Sequence, residues 1–272
     1  MDAIRSLLLV FAALSVLSSH GIIIRHDVGP SRYEVSPSDY PAVFYLEQQG
    51  NRRVCVATVI HRRWAITAAH CARETTLGDT IENGRKFAVR VGNRTRLIDL
   101  LVVHPLYDET SATDVDLALL RFSEEADNPG PIPLQTESTE LDRVVSIIGW
   151  GFFGLGTRGR QYDNGVFRLA QNRISMAERR LQIVFDDPRD RFTDALALEG
   201  VPSLGDSGGP AFIHTDTGFR LAGVLVGEIE GQQFSEDIGS ASCRERVDLS
   251  LVAVSLKKKN YCTLYPYTHH DY

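Results

Sequence analysis

The 272-residue chain reads as an all-β protein, and three observations predict it. Short runs rich in β-branched and aromatic residues follow one another, separated by turn residues. Amphipathic helical periods are scarce. A stretch dense in proline and glycine, Ser123 to Leu134, splits the runs into two sets. Spacing of this kind belongs to antiparallel barrels or sandwiches rather than to βαβ units.

The first set holds AVFYLE from Ala42, RVCVATVI from Arg53, RWAIT from Arg63, KFAVRV from Lys86, RLIDLLVV from Arg96 and LALLRF from Leu117. The dividing stretch, SEEADNPGPIPL, carries three prolines and a glycine and reads as the connection between two halves. The second set holds RVVSIIGW from Arg143, GVFRLAQNRI from Gly165, RLQIVF from Arg180, PAFIH from Pro210 and FRLAGVLVG from Phe219. Near the C-terminus, LSLVAVSLKKKN spaces Leu249, Val252 and Leu256 as a helix would, and its lysines complement the negative end of a helix dipole. A C-terminal α-helix is expected there. The expected organisation is a leader over 1–21, a first unit over 22–130 and a second over 131–272.

The leader follows from MDAIR and then SLLLVFAALSVL, an apolar block that gives way to the small, polar SSHG. That block is too short for the ~20 residues that span a bilayer, so secretion is expected (periplasmic in a bacterium) and no membrane anchor. A net charge of -6 offers no basic field for nucleic acid. Four cysteines, Cys55, Cys71, Cys243 and Cys262, suit an oxidising compartment and allow three connectivities. Asn93-Arg94-Thr95 is a glycosylation sequon if the host is eukaryotic, which makes Asn93 a candidate site. CxxC pairs, HExxH and phosphate-binding glycine loops are absent from the sequence, so neither a catalytic metal nor a cofactor is expected.

Three separated stretches each carry one member of a nucleophilic set. TAAHC places His70 before Cys71, DVDLALL places Asp116 before an apolar run, and GDSGGP places Ser207 among glycines. A serine hydroxyl becomes a useful nucleophile when an imidazole takes its proton, and the imidazole needs a carboxylate to fix its tautomer and stabilise its charge. Without Cβ atoms at Gly205, Gly208 and Gly209 the backbone can turn N-H groups inward. The expected oxyanion donors are the amides of Gly205 and Ser207.

These residues resemble the trypsin-like, or chymotrypsin-like, serine endopeptidases. The likeness is an ordered series: WAITAAHC, VVHPLYD, DVDLALLRF, PIPL, IIGWG, GDSGGP and LAGVLVG, spanning most of the chain from about Pro41 to Leu251. It implies two six-stranded antiparallel β-barrels with a cleft between them. It implies His70 as general base and then acid, Asp116 as its orienting carboxylate and Ser207 as the nucleophile that forms an acyl-enzyme. It also implies a Cys55–Cys71 bridge beside the histidine, a protein or peptide substrate, a protein inhibitor as a further candidate partner, and a monomer. Asp114 rivals Asp116, but the family motif sets the carboxylate directly before the apolar strand. His104 matches a structural turn.

The chain departs from the family in its specificity pocket. Where trypsin has an aspartate six residues before the nucleophile, this chain has Val201, and an apolar floor leaves a buried cation without a partner. Apolar or small side chains are therefore the expected preference, unless Glu228, Glu230, Glu236 or Asp237 reaches the pocket. Ser203 replaces a pocket-bracing cysteine. Val226 and Gly227 occupy the segment that pairs with substrate backbone. Cys243 and Cys262 have no clear family counterparts and are expected to bridge each other. Family zymogens bury a new Ile or Val amine beside the aspartate preceding the nucleophile, here Asp206. Removal of the leader after Gly21 would expose Ile22 to play that part.

Two rival functions stand beside this one. GDSGG also satisfies G-x-S-x-G of α/β-hydrolases, with Asp248 and His269 in the right order, although Pro210 and FIH oppose the helix that fold requires. A catalytically weak homologue serving as a binding module is the other.

Overall fold

A computed structural model describes residues 22–108, 115–178 and 180–227, and the backbone of 253–254. In chain order the strands are β1 (Ile23–Ile24), β2 (Val43–Gln49), β3 (Arg52–His61), β4 (Trp64–Thr67), β5 (Phe87–Val91), β6 (Arg94–Val103), β7 (Ala118–Phe122) and β8 (Val144–Gly149). They continue with β9 (Phe153–Leu155), β10 (Gly159–Tyr162), β11 (Arg168–Ala177), β12 (Arg180–Ile183), β13 (Gly200–Val201), β14 (Pro210–Thr215), β15 (Gly218–Val224) and β16 (Ala253–Val254). Two short helices, α1 (Cys71–Glu74) and α2 (Leu77–Glu82), follow β4.

The first sheet runs β2-β3-β4-β7-β6-β5, every pairing is antiparallel, and β2 packs on β5 to bring the edges together as a nearly closed barrel. Its strands obey period-two burial where one face meets water: Phe87, Val89 and Val91 point inward while Ala88 and Arg90 face solvent. Strand β3 breaks that rule, for Val54 to Val59 are all buried. One of its faces lines the barrel, and the other is covered by the second half, where the Val56 amide donates to the Ser207 carbonyl at 2.7 Å.

The second sheet runs β15-β14-β8-β11-β12-β16 and forms a half-barrel. A third, four-stranded sheet runs β10-β9-β1-β13 and was not anticipated from sequence. Within it Ile23 lies between Val201, antiparallel, and Gly154, parallel. Ile22, Ile23, Ile24 and Tyr33 thus bury in the cluster built from Ile147, Ile174 and Ile213, although they precede the first sheet in sequence. The connecting stretch hydrogen-bonds first to one sheet, with Ile132 N on Val59 O, and then to the other, with Gln135 N on Leu221 O.

All eleven strands expected from sequence are present. The expected C-terminal helix requires a correction: Ala253 and Val254 pair as β16 with Leu181 and Arg180, so hydrogen bonding to a neighbouring strand overrides helical apolar spacing at those two residues. The rest of that segment lies outside the described residues, as do the leader, Asp114, Glu228, Glu230, Glu236, Asp237, Cys243, Asp248, Cys262 and His269. Among the described residues no helix is long and apolar enough to cross a membrane.

Candidate active site

His70 sits where β4 ends and α1 begins, and its carbonyl accepts the amides of Arg73 and Glu74, so the first helical turn fixes its backbone. Asp116 lies two residues before β7, whose pairing with β4 brings Ala118 opposite Thr67. The carboxylate therefore meets the histidine twice. Oδ1 accepts the His70 amide at 3.0 Å, and Oδ2 accepts Nδ1 of the ring at 2.6 Å. A carboxylate only accepts, so the ring proton lies on Nδ1 and the lone pair on Nε2.

Burial opposes charge on the His70 ring, but the hydrogen bond and charge of Asp116, with Glu74 behind, outweigh it and raise the ring's pKa above the usual 6.5. Tyr107, which sequence reasoning passed over, also faces this corner. Burial and then the charge of Asp116 push its hydroxyl upward.

Ser207, half-buried, belongs to a loop keyed into the first sheet. Gly208 takes φ +79°, and a Cβ there would fall 2.2 Å from both Thr67 Oγ1 and Val56 O, and 3.1 Å from the Ala68 amide. No larger residue fits. The loop is thus pressed against residues two and three places before His70, while its other side is held by Gly208 N on Leu225 O and Gly209 N on Asp206 O. Ser207 Oγ makes no hydrogen bond among the described residues, and His70 Nε2 lies 3.9 Å from Cys71 Sγ.

Gly205, at φ +94°, precedes a fully buried Asp206. The Asp206 carboxylate accepts the Gly151 amide at 2.8 Å and the Ser203 amide at 3.1 Å. Burial pushes its pKa up to about 7 against those two amides and the charge of Arg168. The space it fills exists because Gly149 and Gly151 have no side chains, since a Cβ on Gly149 would lie 1.9 Å from Asp206 Oδ1.

Val201 is fully buried in β13 against Ile23. Val226 and the exposed Gly227 leave the loop beside Leu225, whose carbonyl holds Gly208. Ser203, where the family has a cysteine, buries a hydroxyl with no hydrogen-bond partner among the described residues. Cys55 and Cys71 form a disulfide. The sulfurs of the Cys55, His70 and Cys71 cluster are consumed by that bond, so it is not a ligand set for a metal. Asn93 is exposed in the two-residue turn between β5 and β6.

Two barrel-like sheets, one bearing a carboxylate-bound histidine and receiving the serine loop of the other, are compatible with one class, the serine endopeptidases, hydrolases of peptide bonds. Comparison with known proteins agrees. The Trypsin family model matches residues 28–241, and the chain belongs to that family. It is 35% identical over 186 residues to a trypsin of Simulium vittatum, covering 63% of this chain and 69% of that protein. To Trypsin 5G1 of Aedes aegypti it is 30% identical over 209 residues, covering 71% and 72%. Among solved structures, mouse neuropsin shares the fold with a TM-score of 0.54 at 20% identity, over 82% of this chain and 93% of that one.

Proposed function

We propose that the protein is a secreted endopeptidase in which Ser207, His70 and Asp116 act as the catalytic triad, with a preference for apolar or small residues at the bond cleaved. One observation carries the proposal: Asp116 grips both the backbone and the ring of His70, leaving the Nε2 lone pair as the base, and the Ser207 loop is keyed into the sheet that bears that histidine.

In this reading Ser207 Oγ attacks the peptide carbonyl carbon and its proton passes to His70 Nε2. The oxyanion accepts hydrogen bonds from the amides of Gly205 and Ser207. His70 then protonates the departing amine and the acyl-enzyme forms. Water, deprotonated by the same imidazole, attacks the ester, and Ser207 recovers its proton. Val201 sets the preference, since a fully buried valine offers an incoming guanidinium nothing to offset its desolvation. Val226 and Gly227 pair with substrate backbone.

Leader removal would free the Ile22 amine as an ion-pair partner for the buried Asp206, on which Arg168 acts through its charge and with which no ion pair closes among the described residues. The inward packing of Ile22, 2% exposed, supports that pairing.

Labelling with a fluorophosphonate probe, compared between wild type and Ser207→Ala, tests the triad. The wild type should label and the variant should not. A wild-type chain that neither labels nor cleaves any member of a peptide library would favour the binding-module alternative. A library profile led by Arg or Lys would overturn the assignment of Val201.

A further inference from the structure

Glu199 stands immediately before β13 and is 1% exposed, yet no step of the chemistry above uses it. Its Oε1 accepts Asn172 Nδ2 at 2.8 Å and the Asp186 amide at 3.2 Å, while Oε2 accepts the Leu196 amide at 3.0 Å. Asn172, equally buried on β11, also reaches the carbonyls of Gly200 and Val184, each at 3.0 Å. The Glu199 carbonyl receives the Tyr33 hydroxyl at 3.0 Å. One side chain therefore ties together β11, the turn at Leu196 and the strand that carries Val201.

We infer that Glu199 is a positioning residue for the specificity pocket, whose carboxylate holds the Gly200–Val201 strand in register through Asn172 and the Leu196 turn and so sets substrate affinity. This rests on the reading of Val201 as the pocket floor.

The donor arrangement makes the role depend on protonation. Three N-H groups address the two carboxylate oxygens. A proton on Oε1 would face an N-H, and a proton on either oxygen removes the negative charge that all three bonds draw on, so protonation weakens the set. Burial pushes the Glu199 pKa from 4.5 up to about 7, against the amides of Leu196 and Asp186. The charged groups that face it are Arg25, which lowers the pKa while donating to Leu196 O at 2.8 Å and pairing with Asp27, and Asp186, which raises it. Tyr33 faces it with a neutral hydroxyl, pushed up to about 12 by burial. Acidification through about 7 should therefore slacken the strand, an effect on KM that is distinct from the protonation of His70, which acts on kcat.

The test is steady-state hydrolysis of a peptide p-nitroanilide with an apolar P1 residue by the full secreted chain, from about pH 5.5 to 8.5. Wild-type KM should rise about tenfold as pH falls through that range, the loss expected for one hydrogen bond to a charged group, while kcat follows His70 separately. Glu199→Gln should show a KM that is high and flat with pH and a kcat near wild type at alkaline pH. Glu199→Asp, which keeps the charge, should keep the pH limb. A flat wild-type KM, or a Gln variant that retains the wild-type limb, would overturn the inference. If the Gln variant does not fold, the wild-type profile and the Asp variant decide, and an Asp variant without a limb counts against it. Fluorophosphonate labelling separates the two levels. A labelled wild type with flat KM sinks the role of Glu199 alone, and an unlabelled wild type sinks the proteolysis reading with it.

Discussion

Replacing Gly149 by alanine adds one methyl group at the point where the Asp206 carboxylate passes closest to β8. Gly149 is an ordinary strand position without positive φ, so its backbone tolerates alanine, which lowers unfolded-state entropy by about 0.5–1 kcal/mol in favour of folding. The new Cβ would lie 1.9 Å from Asp206 Oδ1 and 2.8 Å from its Cγ, too close for either to stay. Displacing the carboxylate breaks its hydrogen bonds from Gly151 at 2.8 Å and Ser203 at 3.1 Å, each worth about 1.5–3 kcal/mol to a charged group. After the backbone gain, the net loss is about 2–5.5 kcal/mol, which leaves a domain in the middle of the ordinary stability range folded. The turn that presents the Gly205 amide moves with Asp206, so kcat should fall about a hundredfold, the effect of removing one oxyanion donor. Urea denaturation followed by tryptophan fluorescence reads the first quantity, and peptide hydrolysis at saturating substrate reads the second. Gly130→Ala, where a Cβ would meet nothing within 4 Å, is the control. Gly149→Ala with unchanged kcat would refute the argument that this glycine exists to seat Asp206.

Asp116→Asn should lower kcat about ten-thousandfold by favouring the wrong imidazole tautomer, and it should move the acidic limb of the rate profile to lower pH, because Asp116 is what raises the His70 pKa. Activity needs the neutral ring and so falls as pH drops. The stabilisation from the charged pair has the opposite sense: it is full below about 6.5 and fades as pH rises through the folded pKa, which titration of His70 by NMR would follow. Replacing both Cys55 and Cys71 by serine, which opens a link across a sequence separation of 16, should cost about 3 kcal/mol in urea unfolding, with m rising because the unfolded chain is no longer cross-linked.

The long strands were legible because each carries enough alternation or β-branched residues to declare itself, as in FAVRV of β5 and LALLRF leading into β7. Ile23–Ile24, Phe153–Leu155 and Gly200–Val201 were not, since two or three residues hold no period and their pairing is decided by distant partners. Helix α2 has only six residues and was missed for the same reason. The site was readable as residue types in motif order, but its geometry was not: nothing in DVDLALL announces that both oxygens of Asp116 would be engaged by His70. Glu199 left no signal at all. It is one acid in LALEGV, buried by donors from residues 172, 186 and 196.

The seat of Gly208 between Val56 and Thr67 ties maturation to assembly. A nascent chain whose later half has collapsed, but whose earlier half has not yet offered that notch, has nowhere to lodge the loop that carries Ser207. On the proposed reading, competence to cut then waits on the docking of the two halves.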